Sequence, residues 1–284
     1  MTPVIPAVRA IGRAAMAARP VTLAELQARA ELLTRFERSY LVPVEVFAEF
    51  AARLTDPRRP GGPLRSLCVN GRRWFAYQSL SYDTPDLRSF YDDRQRRRCR
   101  FKIRERLYAD TGERQFEIKL RGRRGETVKR RQQLLPEDAA LGHGPRRFLA
   151  SVLHRAYGMA APEELAPSLC TEYQRATFVG NGQRITCDAG LICRDLATGR
   201  AIRADGGLVL VQTKRGAGGV GRTESAAPPV DAEADADVDR MLREYGISAS
   251  GFTKYCGALS ALRPDLVSPC WRATVRTAFP RAAA

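Results

Sequence analysis

The stretch Arg100-Phe101-Lys102-Ile103-Arg104-Glu105-Arg106-Leu107 sets a basic residue at every second position. After a turn at Asp110-Thr111-Gly112 the pattern returns as Gln115-Phe116-Glu117-Ile118-Lys119-Leu120-Arg121. A Gly-rich turn follows, and Thr127, Lys129 and Arg131 then share one parity. A period of two is the signature of a strand, with successive side chains on opposite faces. Each of these strands therefore has one apolar face and one face carrying a ladder of cations, with Glu117 set among them. Same-face neighbours lie ~6.6 Å apart. At an effective dielectric near 20, each like-charged pair at that spacing repels by roughly 2–3 kcal/mol. On an open surface, water and salt absorb that cost. In an enclosed space a bound polyanion must do so.

Two features favour enclosure over a solvated sheet face. The parity opposite the cations is apolar on strand after strand, so that face is buried. The polar parity also recurs far along the chain, in Tyr173, Arg175 and Thr177, in Arg184, Thr186 and Asp188, and in Leu210, Gln212 and Lys214. A sheet that is apolar outside and cationic inside closes naturally into a barrel with a charged lumen. The flanking segments supply the outer layer. Thr22 and Glu25 have capping-box spacing before a Leu-rich helix. Residues 44–54 form an amphipathic helix with Val46, Phe47, Phe50 and Leu54 on one face. Helices are also predicted over 146–157 and 237–245. Asn70-Gly71 between two apolar runs signals a hairpin, and Asp83-Thr84-Pro85-Asp86 signals a helix start. The predicted fold class is α+β, an antiparallel barrel with helices packed outside.

The chain has 284 residues and a formal net charge of +16, which calls for an anionic partner. Its five lysines are Lys102, Lys119, Lys129, Lys214 and Lys254, and three of them lie in the opening ladder. The seven cysteines form no CxxC pair, so the expectation is free thiols in a reducing cytoplasm rather than zinc or a disulfide framework. No apolar run approaches the ~18 residues of a membrane span. Residues 1–21 read as a loose basic tail, 22–260 as one domain with a mobile loop at 216–235, and 261–284 as a C-terminal tail.

Only two histidines occur, His143 and His154, both outside the ladder. GxSxG and GxxxxGK[ST] motifs are absent. These absences leave phosphoryl chemistry run by positioning and electrostatics. Few aromatics share the cationic parity, which disfavours a stacking platform for nucleic acid.

At this point the chain resembles a family. Phe36-Glu37-Arg38-Ser39-Tyr40-Leu41-Val42 is similar to its first strand, and Ser79-Leu80-Ser81-Tyr82-Asp83-Thr84-Pro85, with Tyr91 beyond, to its Ser-x-Tyr-Phe-Asp-Thr-Pro signature. Ile103-Arg104-Glu105-Arg106-Leu107-Tyr108, Glu117-Ile118-Lys119, Tyr173-Gln174-Arg175, Arg184-Ile185-Thr186-Cys187-Asp188 and Thr253-Lys254-Tyr255-Cys256 follow in the family's order. The series resembles the VTC (vacuolar transporter chaperone) domain, the polyphosphate polymerase branch of the CYTH-like triphosphate tunnel superfamily, over residues 36–256.

The resemblance implies an eight-stranded antiparallel tunnel that binds ATP and inorganic polyphosphate, with Mn or Mg as the divalent cation. By position, Arg104, Arg106, Lys119, Arg175, Arg184 and Lys254 match phosphate-binding residues, and Lys214 joins them as a catalytic cation. Lys102, Arg121, Lys129 and Thr253 are expected to add ligand contacts, and Glu117 and Glu37 to hold the metal. Two positions depart from the pattern. Ser39 stands where the first strand usually has lysine, and Gln212 where a late strand usually has a metal-binding glutamate. The implied activity is transfer of the ATP γ-phosphate to polyphosphate. Alternatives are a degenerate polyphosphate binder, a triphosphatase (disfavoured because Phe36-Glu37-Arg38-Ser39 lacks an ExExK pattern), and a nucleic-acid binder using an open sheet.

Overall fold

The alternation closes on itself. The structure, a computed structural model, describes residues 5–30, 34–216 and 237–280. Its strands are β1 (Pro20–Val21), β2 (Thr34–Pro43), β3 (Arg65–Leu67), β4 (Trp74–Asp83), β5 (Phe101–Tyr108), β6 (Glu113–Arg121), β7 (Thr127–Leu134), β8 (Ala166–Gly180), β9 (Gln183–Asp195), β10 (Ala201–Arg203) and β11 (Leu208–Gly216). Its helices are α1 (Pro6–Ala17), α2 (Leu23–Ala30), α3 (Val44–Thr55), α4 (Arg88–Arg94), α5 (His143–Tyr157), α6 (Asp237–Glu244), α7 (Lys254–Leu262) and α8 (Pro269–Ala278), with a 3-10 turn at Pro264–Leu266. The sheet order β8-β4-β5-β6-β7-β2-β11-β9, with β9 pairing back to β8, makes a closed barrel of eight antiparallel strands. The seam is narrowest between β2 and β7, where only Thr34↔Val128 and Arg35↔Thr127 pair. Beyond it, the Ser250 amide donates to the Ser39 carbonyl at 2.7 Å and covers the free edge of β2.

Apolar parity decides where the helices sit. Phe101, Ile103, Phe116, Ile118 and Leu120 point outward and bury under Leu149 and Leu153 of α5. Tyr40, Val42, Phe178, Ile185, Val209 and Val211 do the same under α1, α3 and α6. At the end of the barrel where β8 begins, Leu169, Leu191, Cys193 and Leu210 pack with Tyr255, Ala258 and Leu259 of α7.

Several local readings shift. Residues 6–17 are not a loose tail: they form α1, whose Ala7, Ile11 and Ala15 are fully buried. Alanine spacing on one helix face gives that fit, which charge composition obscured. The same correction applies near the C-terminus, where Val275, Ala278 and Phe279 join the core. The proposed loop at 216–235 falls, apart from Gly216 at the end of β11, outside the described residues. Asn70 and Gly71 do make a turn, with φ of +49° and +78° and a single Val69↔Arg72 bridge. Its arms then part, because β8 is inserted between β3 and β4. Asp83 caps a helix, but α4 starts only at Arg88, the intervening chain being held by Asp83 Oδ1 on the amides of Thr84 (2.9 Å) and Ser89 (2.8 Å).

Because α1 is a core element, Ile11→Ala should cost about 2–5 kcal/mol. Chemical denaturation checks this; a loose tail would leave the midpoint unchanged.

Candidate functional site

Inside the barrel runs a cavity of about 630 Å³ whose lining reaches exposed residues at both ends, Arg96 at one and Leu23 and Gln27 at the other. Sixteen lysine and arginine residues line it, against two carboxylates, Glu37 and Asp93. All five lysines of the chain are among them. Strand parity brings together Lys102, Arg104 and Arg106 from β5, Lys119 and Arg121 from β6, Lys129 from β7, Arg175 from β8, Arg184 from β9 and Lys214 from β11. Thr253 caps α7, its hydroxyl accepting from the Cys256 amide at 3.2 Å, and this places Lys254 at the lumen. Every cation expected to bind ligand therefore lines one cavity.

The carboxylates are arranged as counter-charges. Glu117 is fully buried beneath the lining, where it contacts Arg104 (2.7 Å), Lys129 and Arg106 (3.8 Å). Asp188 accepts two bonds from Arg175, at 2.5 and 2.7 Å, and also meets Lys254. Glu37 holds Arg35 at 2.5 Å and Lys119 at 3.5 Å. Asp93 holds Lys102 at 2.8 Å and Arg100 at 3.2 Å. Burial pushes Glu117 and Glu37 upward, but the surrounding cations outweigh it and keep both well below the usual carboxylate range.

Glu117 and Glu37, the carboxylates expected to hold a divalent ion, face cations instead. Each carboxylate is already engaged by cations, and among the described residues no cluster of three or more His, Cys, Asp or Glu side chains forms a metal cage. Gln212 adds no charge: it is the register partner of Ser39, and its Nε2 donates to Ser39 Oγ at 3.1 Å. The two departures from the expected motifs are thus one hydrogen-bonded, uncharged pair. This donor set does not fit a resident Mn or Mg.

The lysines pay for the crowding. Burial and then Arg106 and Arg104 bring Lys129 down to about 8, with Glu117 opposing. Lys119 and Lys214 are also held well below the ordinary lysine value, burial being the first cause and neighbouring arginines adding to it. Among the described residues, the Lys214 ammonium donates to Thr186 Oγ1 at 2.6 Å. Burial, Arg35 and Arg175 lower Arg184 to about 10, so it stays cationic at neutral pH. Among the described residues its guanidinium makes no hydrogen bond or ion pair.

One feature was missed. Tyr108, Tyr77 and Tyr173 are register partners on β5, β4 and β8. Tyr77 and Tyr173 stack at 5.6 Å, Arg106 and Arg175 lie over the Tyr77 ring, and Lys254 over that of Tyr173. Arg106 Nη2 also donates to the Tyr173 hydroxyl at 3.0 Å. These rings fix three cations by cation–π contact. Their parity with Arg106 and Arg175 was the available signal. Arg35 could have been found the same way, two residues from Glu37, whereas nothing in the sequence placed Asp93 against Lys102.

A family profile for the VTC domain matches residues 27–263. The chain belongs to the VTC-domain family. Among solved structures, an adenylate cyclase candidate from Bacillus halodurans is 13% identical with a TM-score of 0.42, covering 78% of this chain and 94% of its own. The Hippeastrum protein HpAC1, described with a dominant triphosphatase activity, is 12% identical with a TM-score of 0.39, covering 83% and 98%. An RNA triphosphatase from Schizosaccharomyces pombe is 10% identical with a TM-score of 0.27, covering 76% and 80%. Curated protein sequences give no match. Within the described residues of this VTC domain, no helix is long and apolar enough to cross a membrane.

The lysine values carry a sign. Near pH 8, Lys129 in the empty VTC tunnel is about half protonated. A polyanion raises its pKa, so binding must take up protons at that pH. Calorimetry with long-chain polyphosphate in buffers of different ionisation enthalpy should show this uptake. Lys129→Arg should reduce it while keeping affinity.

Proposed function

We propose that this VTC domain binds ATP and polyphosphate in its tunnel and transfers the ATP γ-phosphoryl group to the end of the polyphosphate chain. What carries the reading is the lining: sixteen basic residues around one cavity, with every cation matched to a phosphate-binding position among them. In the step proposed, a terminal polyphosphate oxygen attacks the γ-phosphorus in line. The bond from that phosphorus to the β–γ bridging oxygen breaks, ADP leaves, and the chain is one phosphate longer. The nucleophile is already ionised, so no general base is needed, in keeping with the absence of histidine from the lining. Arg104, Arg106 and Arg175 supply planar forks to phosphoryl oxygens. The lysines supply point charges that neutralise the charge spread over the transferring group. Mn or Mg, on this reading, enters as part of the metal–nucleotide substrate rather than as a group held by the protein. The compartment proposed is the cytoplasm, as the free thiols of Cys68, Cys99, Cys170, Cys187, Cys193 and Cys256 favour.

Purified protein given ATP, Mn or Mg and a short polyphosphate primer should produce longer polyphosphate, with one ADP released for each phosphate added. If neither forms with either metal across a range of pH, the transfer claim fails. Release of inorganic phosphate without polymer would instead mark a triphosphatase.

A second reading, a tunnel that binds polyphosphate without making it, is favoured by the uncharged Ser39–Gln212 pair. Gln212→Glu discriminates the two. Activity appearing only in that variant would make the natural protein a binder, and turnover by the wild type would remove this reading.

A further inference from the structure

The cationic lining does not stop at the tunnel mouth where β5 starts and β6 ends. Arg94, Arg96, Arg100 and Arg121 line the cavity there, and Arg97, Arg98, Arg123 and Arg124 stand exposed just beyond. Two loops carry them, one leading into β5 and one joining β6 to β7. They are pinned side by side. The Arg121 amide donates to the Arg100 carbonyl at 3.1 Å. The Tyr157 hydroxyl of α5 accepts from the same amide at 2.8 Å and lies 2.8 Å from the Arg100 carbonyl and 2.9 Å from that of Arg121. Burial, as the first cause, pushes that phenol up to about 12, so it remains a hydrogen-bond donor.

The β6–β7 turn is shaped for its arginine. Gly125 has φ of +83°, and a Cβ there would lie 3.0 Å from Arg121 Nη2. A side chain at this position would be strained and would crowd the guanidinium as it lies along the turn.

The acids near this mouth are committed inward or locally. Asp93 holds Arg100 and Lys102, Asp92 meets Arg97 at 3.3 Å, and Glu126 accepts from the Arg124 amide at 2.9 Å. The side chains of Arg98, Arg123 and Arg124 make no hydrogen bond or ion pair among the described residues. The opposite mouth, where β5 ends, is mixed: Leu23, Leu26, Leu67 and Tyr108 line it, and the register places the lining cations Arg184 and Lys214 at that end too.

We propose that this basic rim is an outer binding site for the same polyanion, on which the part of a polyphosphate chain too long for the tunnel lies across Arg98, Arg123 and Arg124. The inference rests on the tunnel being a polyphosphate site. It adds a direction: the long chain leaves by the mouth where β5 starts, over the exposed arginines of the two pinned loops. Three exposed cations on two loops pinned together at Arg100 and Arg121 act jointly on a flexible polyanion. The same three charges cannot reach a ligand that fits wholly inside the lumen.

Binding of tripolyphosphate and of long-chain polyphosphate to the full chain tests this, comparing wild type with the triple variant Arg98→Gln, Arg123→Gln, Arg124→Gln. The substitutions are on the surface, and an unchanged melting temperature confirms that the variant folds. The variant should weaken the long chain by about tenfold and flatten its salt dependence, while tripolyphosphate changes less than about twofold. Equal binding of long chain by variant and wild type would overturn the proposal. So would single-stranded DNA of matched charge that displaces long polyphosphate and itself loses affinity in the variant, which would make the rim a nucleic-acid surface. Wild type that binds neither phosphate ligand would defeat the tunnel reading itself, and the rim would fall with it. Wild type that binds both equally well would defeat the rim alone.

Discussion

Like-charge repulsion inside a closed wall is the constraint on which the rest of this structure depends. A barrel strand must send alternate side chains inward, and here that parity delivers sixteen cations to one cavity of about 630 Å³. Neighbours at strand spacing repel by roughly 2–3 kcal/mol even at an effective dielectric near 20. Four carboxylates meet the problem locally. Each is bound to at least two cations, and Glu117 and Asp188 sit beneath the lining rather than in it. Buried ion pairs of this kind are weak sources of net stability. Their effect is to fix where each guanidinium and ammonium stands. Stability comes from the other parity, where Phe116, Ile118, Phe178 and Ile185 are fully buried under the helices.

Much of this was legible because a barrel makes parity a local property. Alternation in three segments was enough to separate lumen from wall, and the distant echoes at Arg175, Arg184 and Lys214 were enough to close the ring. What escaped were contacts that parity does not encode. Asp93 lies on a short helix, and only the packing of α4 beside β5 brings it to Lys102. The Asn70-Gly71 turn was visible, yet the insertion of β8 between its arms is a long-range event with no local mark. α1 was hidden for a different reason: its buried face is mainly alanine, which carries little hydropathy contrast but fits closely against the barrel. Glu117 was correctly placed among the cations, but its depth beneath the lining was not legible, since sequence shows which charges share a face but not which is uppermost.

Ser39 and Gln212 look independent in the sequence, being on different motifs, and each by itself reads as a loss. Their pairing across β2 and β11 changes that reading. Placing a lone lysine at position 39 would add a cation beside Lys214 and Arg184, and placing a lone glutamate at position 212 would leave a carboxylate without its expected neighbour. Removing both charges together keeps the local balance and leaves no buried polar group unpaired. The pair also adds no charge to the lining, so it makes no local demand for a counter-ion.

The distribution of lysine and arginine completes the electrostatic logic. Arginine is abundant everywhere in this chain, on the surface, at the rim and in the lumen, whereas every lysine lines the tunnel. A guanidinium keeps its charge at any working pH and suits fixed, forked contacts to carboxylate or phosphate. An ammonium can release a proton when crowded. Burial and crowding bring Lys129 down to about 8 and hold Lys119 and Lys214 well below the ordinary lysine value, a response that arginine does not share. A phosphate chain in the lumen would draw the Lys129 value back up and strengthen the attraction. The lysines therefore let one wall be tolerable when empty and strongly cationic when filled, a property an all-arginine lining would lack.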